Sequence, residues 1–228
     1  LRGKYICVSN VHTTVTAYEN RNYRRVQNGA AMVFPDGGPL SIVCRLRGYK
    51  NASRVTGPDF MGEIFKEKGV RQFFYGSTPE TLDKLRGILE KEHPDIQICG
   101  MYSPPFRTLS HEEDEEIVDM INAAKPDIVW IGLGAPKQEN WMAKHEGRIN
   151  AVMVGVGAGF DYFAGNIKRA PMIMQKLSLE WLYRLVQEPK RLYKRYFSTN
   201  TVFLIANYRL WKQYRKIKKR RYTTVSLF

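Results

Sequence analysis

Long apolar runs, paired cysteines and common nucleotide-binding motifs are all missing from this 228-residue sequence. It contains no stretch of about 18 or more apolar residues, so no transmembrane helix is predicted. Its 3 cysteines lie apart, without a Cys-x-x-Cys spacing or clustered histidines, which argues against a disulfide framework or a zinc site. We interpret them as buried thiols of a cytoplasmic protein.

The first residues have neither an initiating Met nor a signal-peptide layout, and we interpret this end as trimmed. Neither a Walker loop nor Gly-x-Gly-x-x-Gly with a following acid occurs, so no motif indicates ATP or nicotinamide binding. The acidic run Glu112–Glu116 follows Ser110 in a capping-box pattern, which predicts a stabilised first helical turn rather than a metal cluster. We therefore expect neither a metal nor a cofactor.

The net charge of +14 is concentrated near the C-terminal end. Residues 181–228 contain 13 of the 36 Lys and Arg residues and one acid, Glu188, and therefore carry +12 of that charge. The rest of the chain is nearly neutral. A basic segment of this kind favours an anionic partner, such as nucleic acid, anionic lipid or a phosphorylated substrate.

Short apolar or β-branched runs alternate with helical patterns, which predicts a Rossmann-like α/β fold, a mainly parallel sheet sandwiched by helices. The predicted strands are Lys4–Ser9, Ala31–Phe34, Arg71–Tyr75, Ile96–Met101, Asp127–Gly132 and Ala151–Val156, and helices are expected near residues 12–27, 58–68, 78–92, 111–124 and 136–146. Strand patterns stop after Pro171, and helices broken near Pro189 and Ser198 follow. We predict an α/β catalytic domain over residues 1–175 and a basic helical appendage over residues 176–228.

One predicted strand runs into Pro-Asp-Gly-Gly, which places Asp36 just past its carboxyl end. Residues at this position in a parallel α/β sheet face the ligand crevice. A carboxylate there acts as a general base if an attacking hydroxyl lies within hydrogen-bond reach. The alternative is a simple Asx-type turn, because Pro-Asp-Gly is ordinary turn chemistry.

A glycine-rich segment with Gly132 and Gly134 leads into a predicted helix whose first turn holds Lys137 and Gln138. Glycine lets the backbone approach a ligand closely, and a helix start offers free N–H groups and partial positive charge to a diphosphate. The alternative is a tight strand-to-helix turn without a ligand.

A second glycine-rich segment contains Gly157 and, further on, Asp161. Either this loop contacts a ligand or its glycines only permit close packing against the sheet. Arg54 and Arg169 are further cations near predicted loops, although an arginine is more often a solvated surface group.

Five segments together resemble the WecG/TagA/CpsF family of glycosyltransferases: PDGGPLS at 35–41, RVTGPDF at 54–60, PDIVWIGLGAPKQENWM at 126–142, VGVGAGFDYFAG at 154–165 and KRAPMIMQKLSLEWLYRLVQEPKRLYKRY at 168–196. The resemblance covers nearly the whole chain. It implies an inverting, metal-independent transfer of a hexose or N-acetylhexosamine, commonly N-acetylmannosamine. The implied donor is a UDP-sugar, and the implied acceptor is an undecaprenyl-diphosphate-linked sugar in teichoic acid or cell-surface polysaccharide synthesis.

The resemblance also implies roles for single residues. Asp36 matches the family's candidate base, while Arg54 and Gln138 match donor-binding positions. Many members have a threonine two residues before Asn10, where this chain has valine, so Ser9 or Asn10 is the candidate replacement for its sugar contact. In the appendage, Arg184 and Arg191 match arginines that close over the site, and either Lys194 or Arg195 is the candidate for a third such cation.

On a helix through residues 201–221, an apolar stripe repeats at helical spacing: Phe203, Leu210, Tyr214 and Ile217, with Trp211 beside them. Lys and Arg cover the rest, a pattern typical of helices that lie in a membrane interface. We therefore expect peripheral binding to the inner face of the cell membrane. The alternatives are that the stripe packs on the protein's own body and that the cations are only solvated.

A UDP-sugar-dependent hexosyltransferase is the leading hypothesis for function. A nucleic-acid-binding protein is the rival that the basic tail suggests, but the charge is segregated from the glycine-rich loops and no nucleic-acid motif is present. A non-catalytic helper subunit of another glycosyltransferase is the third hypothesis. The predicted partners are the donor, the lipid-linked acceptor and an anionic membrane, and the oligomeric state stays open.

Overall fold

The computed structural model describes residues 1–225, except for the side chains of Lys176, Arg191, Arg195 and residues 214–225. Within this part of the chain, six parallel strands form one sheet in the order β2-β1-β6-β5-β3-β4. The strands are β1 (Tyr5–Ser9), β2 (Met32–Pro35), β3 (Arg71–Gly76), β4 (Gln97–Tyr102), β5 (Ile128–Gly132) and β6 (Val152–Gly155). The helices are α1 (Val11–Glu19), α2 (Arg21–Gly29), α3 (Gly38–Leu46), α4 (Gly57–Ile64), α5 (Pro79–Glu92), α6 (His111–Ala123), α7 (Lys137–Lys144), α8 (Gly159–Phe163), α9 (Met172–Lys176), α10 (Glu180–Gln187) and α11 (Pro189–Val225).

The sheet is buried on both faces, which confirms the predicted α/β class and explains why its central strands are apolar along their length. Successive side chains of a strand point to opposite faces. On β3, Phe73 and Tyr75 therefore join one core cluster, whereas Phe74 joins the other together with Trp130 of β5. The indole N–H of Trp130 donates to the Gln72 side chain at 2.8 Å, which satisfies a buried polar group inside the second layer.

Two predicted helix starts are confirmed. Thr78 accepts a hydrogen bond from the Thr81 N–H while Pro79 occupies the first position of α5. Ser110 and Glu113 form a reciprocal capping box at the start of α6, so the acidic run lies in a first helical turn, as predicted. Within the described residues, no three His, Cys, Asp or Glu side chains are placed to hold a metal ion.

The helix predicted near residues 12–27 is in fact two helices, α1 and α2, which meet at Asn20. The Asn20 side chain accepts hydrogen bonds from the N–H groups of Asn22 and Tyr23 at 2.9 and 3.0 Å. It is therefore the N-cap of α2. The apolar spacing on both sides of Asn20 is helical, so periodicity alone did not separate the two helices.

Helix α3 was not predicted, because its first residues belong to a Pro-Asp-Gly-Gly-Pro segment that is typical of a turn. Gly37 has a φ of 97°, a value that favours glycine, and it ends the loop. Pro39 lies in the first helical turn, where its missing N–H costs no hydrogen bond.

The cysteines only partly match the expectation of buried thiols. All 3 are free, but only Cys7, on the inner strand β1, is fully buried. Cys44 lies on α3, which packs against the protein through one face only, and Cys99 lies on the edge strand β4. Both cysteines are therefore half-buried.

The break predicted near Pro189 is confirmed, since α10 ends at Gln187 and α11 begins at Pro189. The break predicted near Ser198 is wrong, because α11 continues through it. The hydroxyls of Ser198 and Thr201 donate to the carbonyls four residues earlier, at 2.9 and 2.8 Å. These side chains therefore bond within the helix instead of ending it.

Helix α11 packs on the body of the protein through Phe203, which joins a small core cluster with Val15 of α1 and Leu40 of α3. The predicted membrane stripe is wrong at this residue, since Phe203 faces inward. Leu210 and Trp211 are exposed, and the side chains of Tyr214 and Ile217 lie outside the described residues. No helix in the described part of the chain is both long and apolar enough to cross a membrane.

Candidate active site

A cavity of about 830 Å³ opens at the carboxyl ends of β1, β2, β3, β5 and β6. Loops after these strands form its floor, and α10, α11 and the turn at Ser178 form its roof. Ligands of parallel α/β sheets bind at this edge, and the volume lies within the roughly 300–1,000 Å³ typical of small-molecule sites.

Most of the predicted site residues line this cavity: Asn10, Asp36, Arg54, Gly132, Gly134, Gln138, Gly157, Asp161 and Arg184. Lys137 does not, because its side chain is exposed at the start of α7. The side chain of Arg191 lies outside the described residues, as does that of Arg195, and Lys194 is exposed on α11.

Asp36 lies in the cavity wall directly after β2. Its backbone N–H donates to the Ser9 carbonyl at 2.7 Å, which extends the pairing of β1 and β2 by one residue. Asn10 lies beside its carboxylate and acts to lower its pKa. The N-cap of α3 is Gly37, which has no side chain to cap the helix.

The pKa of Asp36 is raised to about 7, chiefly by burial and secondly by the negative charge of Glu180. Three neighbours oppose this rise: Arg54, Arg184 and Asn10. The result is a carboxylate in a ligand-sized cavity that titrates near neutral pH, which is the property expected of a general base.

Arg54 ties the floor of the cavity to its roof. Its guanidinium donates to Glu180 of α10 at 2.7 Å and to Asp59 and Gln175 at 3.3 Å each. Arg169 forms a further ion pair with Asp59. Because these partners occupy its guanidinium, Arg54 connects the α/β layer to the C-terminal helices.

The glycine-rich loops have two different roles. Gly132 is required for packing, since a Cβ at this position would collide with the Phe160 ring at 2.7 Å. Gly134 and Gly157 have φ values of 77° and 57°, and nothing lies within 4 Å of the position where a Cβ would point. These two glycines give the loops a left-handed turn and leave open space in the cavity.

Gln138 is buried behind the second glycine loop. Its side-chain oxygen accepts from the Gly157 N–H at 3.0 Å, and its amide donates to Glu139 at 2.9 Å. Glu139 is fully buried, and this burial raises its pKa. Gln138 therefore positions the Gly157 loop. The resemblance to the family implied only that Gln138 binds the UDP-sugar, and this positioning role was not predicted.

Ser9 is buried and does not line the cavity, since its hydroxyl lies 2.9 Å from that of Thr13. Asn10 lines the cavity and also caps α1 in a reciprocal box with Thr13. Ser9 and Asn10 were the two candidates to replace the sugar contact of the threonine found in many family members. Of these two, only Asn10 lies at the cavity. Asp161 lines it as well, and its carboxylate accepts from Asn166 at 3.2 Å.

Arg184 projects from α10 into the cavity and is largely buried. Its guanidinium carbon lies 5.6 Å from the centre of the Tyr162 ring, and one terminal nitrogen lies 3.4 Å from Glu188. Its Nε is buried and has no hydrogen-bond partner among the described residues. An unpaired buried donor is costly, so an anionic ligand here would gain a strong hydrogen bond.

Sequence reasoning missed several residues of the roof: Ser178, Glu180, Trp181 and Tyr196, together with Tyr162 of α8. No spacing rule identifies them, because their position depends on how α10 and α11 fold back over the sheet. The similarity of the Leu-Glu-Trp-Leu-Tyr-Arg-Leu segment to the family was the only available signal.

Comparison with known sequences agrees with this arrangement. The profile of the glycosyl transferase WecG/TagA/CpsF family matches residues 1–220. The chain belongs to this family. It is 34% identical over 194 residues to the N-acetylglucosaminyldiphosphoundecaprenol N-acetyl-beta-D-mannosaminyltransferase of Bacillus spizizenii, covering 83% of this chain and 74% of the relative. A Staphylococcus aureus protein of the same name is 33% identical over 220 residues, covering 94% of this chain and 82% of the relative.

Membership of the WecG/TagA/CpsF family makes this protein a glycosyltransferase, which confirms the predicted enzyme class. The match extends through the α/β layer and most of α11, so the helices that cover the cavity belong to the family's shared sequence. The nucleic-acid hypothesis drawn from the basic tail gains no support from these relatives.

Proposed function

We propose that this glycosyltransferase moves N-acetylmannosamine from UDP onto N-acetylglucosamine linked through diphosphate to undecaprenol, a step in teichoic acid or related polysaccharide synthesis. The transferred sugar and the acceptor are those that the names of the Bacillus and Staphylococcus relatives state. The observation that carries the proposal is Asp36, a carboxylate with a pKa of about 7 in the wall of a cavity that can hold a nucleotide-sugar.

The donor's diphosphate is proposed to lie between the Gly134 and Gly157 loops and the start of α7. These loops leave open space, and α7 begins beside them without a side-chain cap, so the partial positive charge of its first turn favours an anionic ligand, although the Gln138 N–H itself donates to the Gly134 carbonyl at 3.0 Å. Arg184 reaches the cavity from the roof with an unpaired Nε. Together these groups stabilise the negative charge that develops on the leaving UDP, and we propose that no metal ion is needed.

The acceptor hydroxyl attacks the anomeric carbon on the face opposite the diphosphate. Asp36 takes the hydroxyl proton as the new carbon–oxygen bond forms, and the bond to the diphosphate breaks with its electron pair leaving on UDP. A single displacement inverts the configuration at this carbon and requires one base. A pKa of about 7 suits this task, because the carboxylate is ionised at working pH and still a useful proton acceptor.

A membrane surface is the proposed location of this reaction, because the acceptor carries a lipid. Five apolar side chains of α11 lie three, four or seven residues apart, and each is more than half exposed. We call them the outer stripe, and they take the place of the stripe predicted from sequence: Tyr193, Phe197, Leu204, Tyr208 and Trp211. Aromatic side chains flanked by cations favour the interface of an anionic bilayer. We propose that the outer stripe binds the inner face of the cell membrane.

A panel of UDP-sugars tests the proposed donor. Because the ligand binds only the folded state, UDP-N-acetylmannosamine is expected to raise the melting temperature more than UDP-glucose or UDP-N-acetylglucosamine does. An ADP-sugar is the matched control for the uridine. Equal stabilisation by every nucleotide-sugar, or by none, would contradict the assignment of the donor.

Replacing Glu180 with Gln is expected to move the pH dependence of kcat/KM. The negative charge of Glu180 raises the pKa of Asp36, so its removal lowers that pKa and the base form persists to lower pH. The rise of kcat/KM with pH, which is expected near pH 7 in the wild type, therefore shifts to lower pH. Glu112→Gln, on the distant helix α6, is the control. An unshifted rise would show that Asp36 is not the titrating base.

Adding a methyl group at Gly38 is expected to displace the roof. A Cβ on Gly38 would overlap the side chain of Ser178, which forms part of the cavity lining. Turnover of Gly38→Ala should fall by up to about 100-fold, since small misplacements of the surrounding groups are costly. Adding Ser178→Gly removes the overlap and suits the positive φ of 62° at that residue, so turnover should recover. No recovery in the double variant would mean that the roof does not need this close contact.

A further inference from the structure

A second exposed apolar surface lies on the catalytic body, at the C-terminal end of α3. Ile42 and Leu46 are four residues apart on one face of the helix and are 45% and 80% exposed, and Tyr49 just beyond is 70% exposed. We call these three residues the α3 patch. Exposed cations surround it: Arg45, Arg47 and Lys50.

The α3 patch borders the outer stripe of α11. Arg47 donates a hydrogen bond to the side-chain oxygen of Asn207 at 3.1 Å. Asn207 is half-buried and lies between the inward-facing Phe203, four residues earlier, and two members of the stripe, Leu204 and Trp211, which are three and four residues away. The end of α3 therefore meets α11 beside the outer stripe.

The cavity reaches the exposed surface beside the outer stripe. Pro39 at the start of α3 and Leu204 of α11 both line the cavity, and Leu204 is also 68% exposed. The exposed side chain of Leu204 and the loop that holds Asp36 therefore line one cavity.

We infer that the α3 patch and the outer stripe form one continuous surface that docks on an anionic lipid bilayer. Two observations support this occupant: the patch is continuous with the stripe through the Arg47–Asn207 contact, and both are flanked by Lys and Arg. Apolar side chains beside cations are what an anionic interface binds. The inference rests on the proposed function, since that function supplies the membrane partner.

This docking orients the enzyme. With only α11 on the bilayer, the body is free to rotate about one helix, whereas contact through a second helix fixes the side of the cavity that Pro39 and Leu204 line toward the lipid. The sugar of a lipid-linked acceptor then reaches Asp36 while its hydrocarbon chain stays in the membrane. The α3 patch is therefore a determinant of acceptor delivery and lies outside the chemical site.

The test uses the full chain with Leu46→Ser and Tyr49→Ser combined, and Met120→Ser as the matched control. Met120 is an exposed apolar residue of α6, which contributes nothing to the cavity lining. Binding to vesicles of phosphatidylglycerol and phosphatidylcholine is measured by co-sedimentation. Turnover is measured with the lipid-linked acceptor in those vesicles and with a short-chain, water-soluble acceptor. Sedimentation velocity gives the oligomeric state.

The double variant is expected to bind vesicles at least about tenfold more weakly and to lose turnover with the vesicle acceptor. Its turnover with the short-chain acceptor should equal that of the wild type and of Met120→Ser. Vesicle binding equal to that of the wild type would overturn the inference while leaving the proposed function intact. A changed oligomeric state would also overturn it, since a second copy would then cover the patch. A wild type without transfer to either acceptor would instead contradict the proposed function.

Discussion

Asp36→Asn is expected to lower kcat by about 10²–10⁴-fold, the range typical for loss of a general base. The substitution keeps the size of the side chain and removes its ability to accept the acceptor proton. Donor binding should persist, because the proposed phosphate contacts come from the glycine loops, α7 and Arg184. Steady-state kinetics with the lipid-linked acceptor and calorimetric titration with UDP measure the two effects separately.

The same variant has a second expected signature, in stability. Burial raises the pKa of Asp36 to about 7, so its charged form is disfavoured in the folded state. The stability that this group contributes is present at acid pH and is lost as pH rises through about 7. The advantage in melting temperature of Asp36→Asn over the wild type should therefore grow as pH rises from the ordinary carboxyl pKa of 3.8 to about 7, and stay constant above that pH. Asp119→Asn, on an exposed part of α6, is the control. Unchanged kcat in a folded Asp36→Asn variant would contradict the role of base.

Arg184→Ala is expected to lower kcat by about 10²–10³-fold through loss of a charge that stabilises the leaving diphosphate. The effect is large because the guanidinium is mostly buried and its Nε lacks a protein partner among the described residues. Arg184→Lys should recover only part of the rate, since an ammonium group does not reproduce the planar donor set. Loss of the positive charge should also raise the pKa of Asp36 and move the rising limb of kcat/KM to higher pH.

Arg209→Ala is the matched control, because Arg209 is an exposed arginine of α11 outside the cavity lining. It should change salt-dependent membrane binding more than kcat. Equal losses of kcat in both variants would indicate a general effect of charge and would contradict a specific role for Arg184.

The α/β layer was predictable because its physical causes are local. Buried parallel strands need apolar runs such as Val129–Ile131, and each of the six predicted strands is present with bounds shifted by at most one residue. Helix starts with strong capping chemistry, at Thr78 and Ser110, were equally visible. Asp36 was identifiable as a candidate because a residue that follows a parallel strand faces the ligand edge.

Errors arose where one local pattern fits two structures. Asn20 is compatible with a helix interior and with a helix cap. Ser198 is compatible with a helix break and with a continuous helix in which its hydroxyl donates to the carbonyl four residues earlier. Phe203 belongs to a stripe in sequence, yet the contact with Val15 decides that it faces the body. The division of the chain at residue 175 stays a prediction.

The roof of the site was the least predictable part, because it depends on contacts between residues far apart in sequence. Glu180 meets Arg54 across 126 positions, and this contact both joins the roof to the floor and brings a second negative charge to Asp36. The pKa of Asp36, on which the proposed mechanism depends, is therefore a property of the folded roof. The Pro-Asp-Gly motif alone does not produce it.

The measurement that tests the central claim most directly is transfer by the purified chain alone. UDP-N-acetylmannosamine and N-acetylglucosaminyl-diphosphoundecaprenol are incubated with the protein in the presence of EDTA, and UDP and the lipid-linked disaccharide are quantified. We expect equal amounts of UDP and a β-linked disaccharide, with Asp36→Asn producing neither at a comparable rate. Absence of the disaccharide from a folded protein that binds the donor would contradict the claim and would favour a helper subunit.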